Sequence, residues 1–268
     1  MSFYTSLSGL RNAQSDMGVV SHNIANAETN GFKKSDTNFA DLMASSANSD
    51  PRMMIGIGSS VDSITQDFDM GPVEQTGSAL DMVITGDGFF ATSSMSDGSV
   101  LYTRNGGFRM DEVGNIQDGQ NNVLQIFAPG ANPAVDAPVN AVVPLTNAAG
   151  SEYSGVTVNK DGSMVVSYAD GSSEALGTVA IAGFIQPTGL RQEGQTKWSA
   201  TGISGNPAFG APGTGRFGGV LSGAIERSNV DLSEELVNLI TAQRYFQANA
   251  KAIDTASQIS QTVINLRT

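Results

Sequence analysis

Apolar residues recur in steps of three and four at both ends of this chain. They fall at Phe3, Leu7, Leu10, Ala13, Met17, Val20 and Ile24, and again at Leu232, Leu236, Leu239, Ile240, Phe246, Ala250, Ile253, Ala256, Ile259, Val263 and Leu266. Such spacing places one apolar stripe on each of two helices. The first is predicted from about Phe3 to Ala25 and the second from about Leu232 to Leu266, roughly 35 Å and 50 Å long at ~1.5 Å per residue. Asn26 and Asn30-Gly31 tolerate a left-handed backbone and end the first helix, while Asp231 or Ser233 can cap the second. A stripe at a chain end has to be buried against the other end or against other copies of the molecule.

Between the ends the period changes. Asp-Gly or Asn-Gly pairs at Asp87-Gly88, Asp97-Gly98, Asn105-Gly106, Asp118-Gly119, Asp161-Gly162 and Asp170-Gly171 separate short β-rich runs at 88–92, 100–103, 123–126, 163–168 and 178–182. These pairs favour the positive φ angles of tight hairpins, so the body reads as antiparallel β. The predicted class is α+β. Residues 1–30 and 231–268 form paired, coiled-coil-like terminal helices, 31–70 a connecting segment of extended and irregular structure, and 71–230 a β-rich body. Four prolines between 128 and 150 mark an irregular excursion. Small, polar tracts at 44–49 and 202–219 are expected to act as hinges.

Composition removes most chemistry. The chain has 268 residues and no Cys, which excludes disulfide scaffolds, thiolate metal sites and Cys nucleophiles. Its one His, His22, sits in the first helix, leaving a Ser triad in the body without a base. Neither Asp67/Asp69 nor Asp111-Glu112 has calcium-loop spacing, and no dinucleotide or phosphate-loop fingerprint is complete. No catalytic, cofactor or metal residue is assigned. A carboxylate-based carbohydrate enzyme remains as a remote alternative. The net charge of −12 resides in the middle, where 20 acids face 8 bases, while both ends are near neutral. A nucleic-acid partner is therefore not expected, nor is membrane insertion, since no apolar run is long enough to span a bilayer.

Several blocks carry a family resemblance. Asn23, Ile24, Ala25 and Asn26, followed by Thr29, Asn30, Gly31, Phe32 and Lys33, resemble the N-terminal signature of bacterial flagellar rod and hook proteins. Thr76-Gly77 with Leu80-Asp81, the run 86–90, Tyr102-Thr103-Arg104-Asn105-Gly106-Gly107-Phe108, and 223–232 leading into 235–240 resemble successive blocks of that family. Within it the likeness is greatest to hook subunits, through residues 64–68 and 258–267. Hook subunits usually carry a larger outer domain, which here shrinks to the stretch near 128–150.

The resemblance implies a structural subunit that polymerises into a tubular hook, a flexible joint passing torque from motor to filament; a distal or proximal rod protein is the alternative. It also implies passage through the flagellar export apparatus without a cleaved signal peptide, to the extracellular hook or the envelope-spanning rod. Implied partners are other copies of itself, the distal rod protein, the hook cap and the hook–filament junction proteins. The stripe residues of both helices are then the expected subunit-packing surfaces, with Asn23, Ala25, Asn26, Thr29, Gly31 and Phe32 as the family motif.

Overall fold

A computed structural model describes residues 2–44, 55–133 and 136–265. The chain divides into two compact units. One comprises residues 1–27, 34–67 and 230–268, and the other residues 28–33 and 68–229.

The first unit contains helix α1, Ser2–Ala25, helix α2, Leu232–Asn265, and a hairpin of strands β1, Ser35–Ala44, and β2, Ile55–Gln66. Asp231 caps α2: its Oδ1 accepts from the N–H of Ser233 at 2.7 Å and of Glu234 at 3.3 Å, and Glu234 and Glu235 lie in the positive first turn. At the end of α1 the Asn26 side chain donates to the His22 carbonyl at 2.9 Å. Within 31–70, expected as a connecting segment of extended and irregular structure, residues 35–44 and 55–66 pair as a long antiparallel hairpin, with register shifts after Asn38 and Leu42. Most of the expected hinge at 44–49 lies outside the described residues.

The two helices run antiparallel. A Cβ on Gly9 would stand 2.7 Å from Asn249 Oδ1, and Asn23 bonds Glu235. In both pairs the residue numbers add to 258, so Ser2 lies opposite residue 256 and α2 runs on beyond the start of α1.

The second unit is built on one antiparallel path of strands. The order is Tyr153–Val158, Ser163–Tyr168, Ser173–Val179, Asn122–Phe127, Phe89–Ser94, Val100–Thr103, Lys197–Ser199 and Arg191–Gly194. Alternation along the central strand divides its core: Phe90 enters a cluster with Met82, Ile84, Phe108 and Leu124, whereas Phe89 enters one with Tyr102, Phe184 and Trp198. Burial pushes the Tyr102 phenol up to about 12.

Asp97-Gly98-Ser99, Asp161-Gly162-Ser163 and Asp170-Gly171-Ser172 make the hairpin turns, each glycine at positive φ. In each the aspartate accepts from both the N–H and the hydroxyl of the serine two residues on. These bonds hold all three carboxyls below the usual range. Three expected turn pairs behave differently. Asp87-Gly88 lies between strands Met82–Thr85 and Phe89–Ser94, which pair with other strands and not with each other. At Asp118-Gly119 the positive φ moves to Asn121 (61°). Gly106 is needed for space: a Cβ there would fall 1.6 Å from the Met82 carbonyl oxygen.

The Pro-rich excursion rejoins the sheet. Val139–Asn140 pairs with the strand Asn122–Phe127, and Ala141 and Val143 enter the core. Likewise the Gly-rich stretch 202–219 contributes Ala208–Gly210, paired with Ile181–Gly183. Inward-facing apolar residues within both segments outweigh their turn-rich composition.

Candidate assembly surfaces and motif clusters

The motif residues separate into two clusters, one in each unit. In the first, Asn23 is 1 % exposed and works as a clamp. Its amide donates to the Ser35 carbonyl at 2.9 Å and accepts from the Ser35 N–H at 3.0 Å, so a side chain of α1 satisfies both backbone groups of the first β1 residue. The same amide donates to Glu235 Oε2 at 3.2 Å, tying α2 to that junction. Burial raises the Glu235 carboxyl above its ordinary range, and Asp36 adds to this, against the Asn23 bond and Lys34. Asp16 is raised as well, by burial and by Asp36, against a bond from Thr37. A cavity of about 240 Å³ lies beside these groups, with Val20 and Phe39 among its walls.

In the second unit Gly31, Phe32 and Lys33 meet residues from distant parts of the sequence. The Gly31 N–H donates to the Glu226 carbonyl at 2.8 Å, and a Cβ on Gly31 would strike the Asn105 nitrogen at 2.5 Å. The Lys33 ammonium donates to Glu226 Oε1 at 2.5 Å and to the Asp69 carbonyl at 2.6 Å, and Oε1 also accepts the Gly71 N–H at 2.9 Å. Arg104 Nη1 stands 3.7 Å from Glu226 Oε2. Burial pulls the Arg104 pKa down, against the fields of Glu226 and Asp87. Arg227 pairs with Glu28 and, at 2.8 Å, with Glu74. Three resemblance blocks thus converge on one enclosed ionic cluster. Lys33, Arg104 and Glu226 each lie within those blocks, yet sequence reasoning did not join them; three charges inside motifs of a chain only 15 % charged were the available signal. A second buried pair, Lys197 with Asp118 at 2.8 Å, was also missed. Burial raises the Asp118 carboxyl, but Lys197 and the N–H groups of Asn122 and Gln120 together pull it lower.

Of the remaining motif residues, Phe32 is buried, Thr29 accepts the Phe32 N–H in the turn, and Ala25 is exposed at the end of α1. On α1, Val20 is buried, Leu7, Leu10, Met17 and Ile24 are half-buried, and Phe3 is exposed. On α2, Leu239, Phe246, Ala250 and Ile253 are half-buried beside a buried Ala242. Leu236 and Ile240 stay 51 % and 50 % exposed, and Ile259 and Val263, in the overhang, 60 % and 61 %. Leu266 lies outside the described residues. One subunit therefore leaves a substantial part of the α2 apolar surface in water, which large patches on monomers seldom do.

Among the described residues no cluster of three His, Cys, Asp or Glu could hold a metal ion, and no helix is long and apolar enough to cross a membrane.

Three family descriptions match the chain in succession: flagella basal body rod protein over residues 3–33, flagellar hook protein FlgE/F/G D1 domain over 83–166, and flagellar basal body rod FlgEFG protein C-terminal over 221–266. The chain is 32 % identical to the flagellar basal-body rod protein FlgG of Bacillus subtilis (strain 168), over 99 % of this chain and 98 % of the relative. It is 28 % identical to the flagellar hook protein FlgE of Escherichia coli (strain K12) over the whole of both. That alignment runs to 410 positions, so the hook relative carries residues this chain lacks. FlgG of Buchnera aphidicola subsp. Schizaphis graminum (strain Sg) is 31 % identical over 99 % of both chains.

Proposed function

The chain belongs to the flagellar basal-body rod and hook protein family, and from that membership we propose that it is a non-enzymatic subunit of the hook, polymerising head to tail into a helical tube. The α2 apolar surface carries this reading. Leu236, Ile240, Ile259 and Val263 lie half or more in water, and burying the exposed part of each contributes on the order of 1 kcal/mol. Contacts with neighbouring copies supply that burial. In this reading the terminal helices pack as a coiled coil lining the tube, and heterologous contacts that do not close into a ring propagate it. The acidic β-rich unit forms the outer layer, and the partners are other copies, the adjoining rod, cap and junction proteins, and the export apparatus.

The rod reading is favoured by one observation: the Bacillus subtilis FlgG alignment spans only 278 positions, close to the length of this chain. Immunolabelling of intact flagella separates the two. Label on the external curved segment supports the hook, and label confined to the envelope-spanning shaft supports the rod. A full-length chain that stays monomeric at every accessible concentration overturns both.

A further inference from the structure

The β-rich unit contains a cavity of about 310 Å³ that the assembly reading of the helices does not use. Aromatic rings line it, among them Phe89, Phe184 and Phe217, together with Arg104, Arg216 and a single acid, Asp87. Both guanidinium groups lie over rings, Arg104 at 5.3 Å from the Phe89 centroid and Arg216 at 5.8 Å from that of Phe217. Arg104 is almost wholly enclosed, and its Nε and Nη1 have no hydrogen-bond partner among the described residues. Arg216 is exposed and, among the described residues, has no acid within ion-pair distance. Ile185, also in the lining, is 82 % exposed, more than any other large apolar side chain described. Aromatic walls, an unpaired arginine and an apolar lip are the makings of an interface hot spot.

Charge identifies the occupant. The middle of the chain carries 20 acids against 8 bases, so the bodies of neighbouring copies repel one another unless some of those acids meet cations. We propose that this pocket receives an aspartate or glutamate side chain from the β-rich unit of a second copy. Arg216 pairs with the incoming carboxylate, while Ile185 and the aromatic walls enclose its methylene stem. The proposal rests on the reading that the chain polymerises.

The test uses the full-length chain. Arg216→Glu and Ile185→Asp change exposed side chains, so circular dichroism and melting should match the parent, while the critical concentration for assembly rises about tenfold or more. Arg216→Lys should retain assembly. When polymers of that variant, mixed from isotopically labelled and unlabelled copies, are treated with a carbodiimide, position 216 should cross-link to an Asp or Glu of another copy. A parent that never assembles counts against the polymerisation reading itself. A parent that assembles, with both disruptive variants at an unchanged critical concentration or with cross-links only to Asp87 of the same copy, overturns the pocket assignment and leaves polymerisation standing.

Discussion

Lys33 Nζ lies 2.5 Å from Glu226 Oε1 with both side chains wholly enclosed, joining residues 193 positions apart. The ammonium also holds the Asp69 carbonyl, and the carboxylate also holds the Gly71 N–H, so each charge is hydrogen-bonded as well as paired. Removing Lys33 takes from the buried Glu226 carboxylate its nearer cation and leaves Arg104, 3.7 Å from Oε2, as its counter-charge. Lys33→Met should cost about 3–5 kcal/mol in urea unfolding of the chain. The double variant Lys33→Met, Glu226→Gln should not recover that loss, because Arg104, buried 3.7 Å from Glu226 Oε2, is then left without its carboxylate.

Glu235 and Asp16 give the helix–hairpin unit a pH dependence of definite sign. Both folded values are raised, Glu235 above an unfolded value of about 4.3. Between the unfolded and folded values the native state binds more protons, so stability falls as pH rises through that window and returns on acidification. The turn aspartates, whose values are depressed, act oppositely: their stabilisation is lost only as pH drops below about 4. Glu235→Gln keeps a partner for Asn23 and removes the charge. Melting temperatures between about pH 4 and 8 should then vary less than in the parent and lie higher at neutral pH. An unchanged slope would contradict this.

Two glycines should respond very differently to alanine. Gly98 has φ of 70° and open space around it, so Gly98→Ala should cost about 1 kcal/mol through backbone strain. Gly106→Ala drives a methyl into the Met82 carbonyl in the fully buried core, and soluble yield should fall sharply. Thermal unfolding of the two purified variants separates the effects.

Leu236→Ser with Ile240→Ser removes apolar surface that a single subunit leaves in water. The melting temperature of the monomer should change little, since both side chains are half exposed. Assembly measured by sedimentation should need at least about tenfold more protein, given roughly 0.8–1.5 kcal/mol for the exposed half of each residue buried between copies.

Local periodicity made much of this fold legible. The α1 pattern ends at Ala25 as observed, and the runs 100–103 and 163–168 match their strands residue for residue. The capping of α2 by Asp231 was readable from acids placed at a helix start. The hairpin of residues 35–66 was not, because exposed Phe39, Leu42, Ile57 and Ile64 obscure the alternation of a half-buried strand. Nor was the Pro-rich segment read as part of the sheet, since among its described residues only Ala141 and Val143 are buried. The ionic cluster was hidden for a different reason. Spacing along a chain says nothing about which of several charges meet across 193 residues; Glu226 reaches Lys33 through the pairing of Val73–Gln75 with Ala224–Glu226 and the Gly31 N–H bond to its carbonyl.

The unequal lengths of α1 and α2 have a mechanical corollary. With Ser2 opposite residue 256, roughly the last nine residues of α2 project past their partner as a tongue about 13 Å long. A neighbour that lodges this tongue is lapped rather than butted, like boards in a scarf joint. Twisting stress then spreads as shear along a greasy flank instead of prising open a flat seam, and such a joint can creep in bending without parting.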